Sequence, residues 1–145
     1  MDGLRAVAKT FWIGGMWAIG ILVTPALFAL LDRTSAGMVA GRLFQSIAWV
    51  GLVCGTFLLV HIIWREGVRG LKSAAFWLVF AMLVCTVINQ FAVSPIIANL
   101  KQHMNHAAEG LFGGGFGTWH AISSLIYLLQ SLMGLVFVVK ADGGK

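Results

Sequence analysis

Four apolar runs divide this chain: Phe11 to Leu31 (FWIGGMWAIGILVTPALFALL), Phe44 to Ile63, Ser73 to Ile97 and Trp119 to Val139. Every Asp, Glu, Lys and Arg lies in the segments between and beyond them. Each run is near the ~20 residues that a helix needs to cross ~30 Å of hydrocarbon. A charge inside such a run is costly, and its absence from all four is what spanning demands. The pattern predicts an all-α, integral membrane four-helix bundle with up-and-down topology. The whole chain, 1–145, reads as a single four-helix transmembrane domain with helices at about 11–31, 44–63, 73–97 and 119–139. The first run has spanning length and lacks a small-x-small cleavage site, so it reads as a retained helix and not a signal peptide.

Composition agrees with this reading. Of 145 residues, 59% are hydrophobic and 10% charged, with six Trp and ten Phe. A soluble core of this size cannot hide that many large rings, whereas a bilayer accepts them. The net charge of +5 would point to nucleic acid in a soluble protein. Here the basic residues sit at the ends of apolar runs, where they act as topology signals. Arg5, Lys9, Arg65, Arg69, Lys72, Lys140 and Lys145 fall on one side, and Arg33, Arg42 and Lys101 on the other. The bias places both termini in the cytoplasm of a cell whose inner membrane holds the protein.

In lipid, small residues and polar pairs hold helices together. Gly51 and Gly55 form a GxxxG in the second helix, and Gly14 and Ala18 share the interval in the first; both predict close packing. Pro25 and Pro95 bend their helices towards the outer end, with Thr24 and Ser94 placed to bond freed carbonyls. At least one of Asn89 and Gln90 must face the bundle. Ser123, Tyr127 and Gln130 recur along one face of the fourth helix, so a polar contact between the third and fourth helices is expected near Asn89.

Beyond the spans, the chemistry concentrates in KQHMNHAAEGLFGGGFGTWH, Lys101 to His120, which holds three of the four histidines. His103 and His106 are one helical turn apart and His120 opens the next helix. The set forms a candidate copper or zinc site. The competing reading is a compliant outer loop, since Gly110, Gly113, Gly114, Gly115 and Gly117 oppose preorganisation; Lys101 to Gly117 is then the most mobile connection. Asp32, Arg33, Arg42 and His120 collect at the outer end, with Asn89, Ser123 and Tyr127 below them. They define a polar cap or a ligand entrance. His61 lies at the opposite end from His120, so the two cannot clamp one haem. Cys54, Cys85 and Met82 share a depth near the middle, which suits packing or, less commonly, soft-metal ligation.

The stretch MWAIGILVTPALFALLDRTSAGMVAGRLF resembles the first helix and loop of an uncharacterised four-helix membrane family that includes eukaryotic transmembrane protein 205. The matching positions are Met16, Trp17, Gly20, Leu27, Phe28, Gly37, Leu43 and Phe44. FGTWHAISSLIYLL is similar to the opening of that family's last helix, through Phe116, His120, Ser123 and Ser124. Gln45 departs from the family pattern, which has proline there. A more distant similarity joins copper-resistance D proteins and the HemJ-type protoporphyrinogen oxidases. The resemblance implies the fold and brings no catalytic motif. No nucleophile–base pair, phosphate loop or carboxylate pair accompanies it. The reading is therefore a non-enzymatic accessory or ligand- or metal-handling bundle in the lipid bilayer, without a nucleic-acid partner. The alternatives are a haem-linked redox enzyme of the HemJ kind, or a subunit of a homo-oligomer or larger membrane complex.

Overall fold

The computed structural model of the protein describes residues 2–103 and 116–142, with side chains at 3–32, 35–100 and 118–140. The chain forms four long helices: α1 over residues 2–30, α2 over Arg33–Glu66, α3 over residues 74–103 and α4 over Phe116–Asp142. There is no strand among the described residues. All four helices contain a stretch long and apolar enough to cross a membrane. Their outward faces carry large apolar side chains, among them Leu22, 68% exposed, Val53, 70%, and Phe11, 67%. Water does not tolerate such a surface over every helix, but lipid does.

Each helix runs past its apolar stretch, because polar residues extend it into the interface. At one end of the bundle, named outer here after the distribution of Lys and Arg, α1 and α2 are joined by only Leu31 and Asp32. The Asp32 carboxylate caps α2 by accepting the Ser35 N–H at 3.0 Å, which satisfies one of the orphan donors of a helix start. At the opposite, inner end α2 closes on Gly67, whose φ of +56° is a positive value that glycine adopts freely. A 3₁₀ turn, Gly67–Lys72, follows. Ser73 then caps α3 by accepting the Phe76 N–H at 3.2 Å, and the Trp77 indole donates to the Leu71 carbonyl at 2.9 Å. The inner turn is tied down at both ends.

Packing is organised by glycines. Trp12 is 1% exposed and its indole lies across α2, where a Cβ on Gly51 would meet Nε1 at 2.5 Å and one on Gly55 would meet Cη2 at 2.8 Å. The GxxxG of α2 is thus a seat for a tryptophan ring. Gly15 of α1 gives the same access to Ile47, and Gly134 of α4 to Ile13 and Met82. Around these contacts Met16, Leu58, Val79, Met82 and Phe137 form the core. The other small pair of α1 behaves differently from expectation. Gly14 and Ala18 are exposed, and a Cβ on Gly14 would meet nothing within 4 Å. Docking of Trp12 onto α2 fixes the rotation of α1, and that rotation turns Gly14 outward.

Two helices are broken in the same way. In α1 a wide, π-helical stretch, Ala18–Val23, precedes Thr24 and Pro25. In α3 the stretch Ile88–Val93 precedes Ser94 and Pro95. A wide turn gives the proline ring room that a regular α-turn denies it. The hydroxyls of Thr24 and Ser94 do bond carbonyls, those of Ile19 and Asn89, both at 2.8 Å. These lie five residues back and also accept the backbone N–H of the same Thr or Ser. The hydroxyls therefore reinforce the wide turn instead of capping the carbonyl a proline abandons.

Candidate functional site

Between the two breaks, α4 presents a row of polar side chains to α1 and α3. Outermost, the Ser123 hydroxyl donates to Asn89 Oδ1 of α3 at 2.8 Å. One turn deeper, the Tyr127 hydroxyl donates to the Met16 carbonyl of α1. Its ring stands edge-on to Phe44 with centroids 4.8 Å apart. Gly20 allows this, since a Cβ there would come within 3.0 Å of the ring. Deepest, the buried Gln130 amide donates to Thr86 Oγ1 at 2.8 Å and approaches the Met16 sulfur at 3.7 Å. Thr86 in turn donates to the Met82 carbonyl at 2.9 Å. Ser123 to Gln130 spans about 10 Å along the helix axis. The seam is uncharged throughout, as an unpaired charge in this medium would be prohibitive.

The third and fourth helices do meet through a polar contact beside Asn89, with Ser123 as the donor. Tyr127, one turn deeper, crosses instead to α1. Met16 and Thr86 belong to the seam although their residue types gave little signal. The clue for Thr86 was its spacing of three from Asn89, which puts both on one helical face.

At the outer rim, Asp32, Arg42 and His120 are exposed. The Arg42 carbonyl accepts the Ser46 hydroxyl at 3.0 Å, and the His120 carbonyl accepts that of Ser124 at 2.9 Å. The side chains of Arg33 and His103 lie outside the described residues, as do His106 and most of the stretch Lys101 to Gly117 expected to be mobile. Among the described residues, no three His, Cys, Asp or Glu side chains gather as a metal site. Cys54 and Cys85 are half-buried free thiols. His61 sits at the far end of the bundle, 6% exposed. Its ring stacks on Phe57 at 6.0 Å, and its Nε2 has no hydrogen-bond partner.

An all-α bundle of four membrane-crossing helices with an internal polar seam is a multi-pass membrane protein. A family described as a domain of unknown function, DUF4149, matches residues 7–106, and the chain belongs to that family. The match covers most of α1 and all of α2 and α3, and leaves out α4, which supplies Ser123, Tyr127 and Gln130 to the seam. No curated protein and no solved structure matches this sequence.

Proposed function

We propose that this protein is a non-enzymatic inner-membrane bundle that binds a small, uncharged, hydrogen-bonding ligand in its polar seam. Asp32, Arg33, Arg42 and His120 form the rim of the entrance, and Asn89, Ser123 and Tyr127 are the first groups below it. The observation that carries this reading is the pairing of two broken helices around the seam. α1 and α3 hold corresponding places in the two helical hairpins, α1–α2 and α3–α4. Interrupted helices in corresponding places of two halves are where membrane bundles build binding sites. Wide helical turns also occur often at functional positions. Neutral donors and acceptors match a neutral ligand, because an ion would find no countercharge among them. The resemblance to copper-resistance D and HemJ-type proteins gives the competing, haem-linked reading; the two histidines whose side chains are described, His61 and His120, lie at opposite ends of the bundle.

Gentle purification, followed by mass spectrometry of the denatured protein's small-molecule extract, tests the reading. We expect one polar molecule per chain in the wild type. We expect its loss in Asn89→Leu and in Gln130→Leu, with helix content unchanged. An empty wild-type extract rejects the proposal. A Soret band would transfer the function to haem-linked redox chemistry, and stoichiometric co-purifying subunits would make the chain a structural component.

A further inference from the structure

The inner halves of α1 and α4 do not close against each other. They meet mainly around Thr10–Gly14, and beside that contact lies a groove of about 590 Å³, open to the surroundings. Gly14 leaves its floor bare. Ile13 and Trp17 of α1 and Leu135 and Val138 of α4 give it apolar walls, and Lys9 stands within it. From Ala6 to Trp17 the groove follows about 16 Å of the α1 axis. One leaflet contributes half of the ~30 Å hydrocarbon, roughly 15 Å. Below Lys9 the groove runs about 12 Å, to Trp17, and so stays within one leaflet.

The length decides between occupants. A transmembrane helix from another protein crosses both leaflets and needs a furrow that continues past Trp17. Beyond that point α1 presents Ile21 and Leu22, 55% and 68% exposed, which stand out from the surface and are not part of the groove. A lipid acyl chain ends at the midplane and needs nothing more. Charge then selects the lipid. Arg5 and Lys9 are half-buried near the inner end of α1, and Lys140 is exposed at the same end of α4. Long basic side chains lie along apolar surface and hold their charges at headgroup level. Basic pockets between helices are where anionic headgroups settle.

We propose that the groove between α1 and α4 is a binding site for one anionic phospholipid, with an acyl chain laid over Gly14 and the phosphate held by Lys9 and Arg5. The site belongs to the leaflet that contains the inner helix ends, and it is separate from the polar seam.

The full chain in a mild detergent is titrated with phosphatidylglycerol or phosphatidylcholine, and bound lipids are counted by native mass spectrometry. The wild type is expected to take up one phosphatidylglycerol about tenfold or more tightly than phosphatidylcholine, and Lys9→Gln to lower that affinity about fivefold. Gly14→Leu places a side chain in the groove, where its Cβ meets nothing within 4 Å, and abolishes the tight site. Gly41→Leu, also exposed with nothing near its Cβ, leaves the site intact. Circular dichroism confirms that each variant retains the wild-type helix content. Equal affinity for the two lipids, or tight binding that survives Gly14→Leu, overturns the proposal. A stable dimer that Gly14→Leu splits into monomers also overturns it, and gives the groove to a second copy of the chain.

Discussion

Glycine has two opposite roles in this protein, decided by which way each one faces. Gly55 lies under Trp12 and Leu83, and a Cβ there would approach Leu83 Cδ2 to 2.7 Å. Gly14, on a neighbouring helix, faces open space. Gly55→Ala therefore overpacks a filled interface and should destabilise the bundle by about 1–3 kcal/mol. Gly14→Ala adds only helix propensity, worth up to ~1 kcal/mol in favour of the folded state. Reversible unfolding in mixed micelles compares the two directly. Equal effects would mean that the bundle is looser around Trp12 than its contacts indicate. The small-residue spacing in the sequence marks Gly51 and Gly55 as interfacial, and it marks Gly14 the same way although Gly14 faces out. It does not indicate that Gly15 and Gly20 face neighbours while Gly14 faces out, because that depends on how α1 is rotated against α2.

Among the helices, the prolines were legible as breaks, because proline's missing donor has a fixed chemical consequence, whereas the carbonyls that Thr24 and Ser94 bond were not those the prolines free. The wide turns were not legible, since no residue pattern requires an i to i−5 hydrogen bond. The same holds for the seam. Ser123, Tyr127 and Gln130 could be read as one face of α4, but their partners on two different helices follow from where the helices lie. A prediction attaches to the breaks themselves. Amides in Ile88–Val93 should exchange with solvent deuterium faster than those in Val79–Val84 of the same helix, because the wide turn packs and bonds less well. Hydrogen exchange resolved by residue decides this. Uniform protection along α3 would show that the break is as firmly held as the regular helix.

For the whole molecule, the four spans are the most legible feature, since uncharged apolar runs of spanning length have few alternatives. The orientation that we propose rests on the distribution of Lys and Arg, and it can be tested at two exposed positions on opposite ends. Gly41→Cys should react with a membrane-impermeant maleimide in intact spheroplasts. Arg69→Cys should react only after permeabilisation. The native Cys54 and Cys85, half-buried in mid-helix, provide the background control. The reverse labelling pattern would place the inner turn, and the leaflet of the lipid groove with it, on the outer side.

The seating of Trp12 across Gly51 and Gly55 also constrains how this sequence can change over generations. A side chain gained at either glycine collides with the indole, and a smaller ring at position 12 leaves a hole that lipid cannot fill. Each step alone lowers fitness if the bundle is marginally stable, yet a smaller ring together with an alanine beneath it restores contact. The three positions are therefore epistatic. A lineage leaves this arrangement through a less stable intermediate or by a double change, and variants at position 12 should be tolerated mainly in backgrounds already altered at 51 or 55.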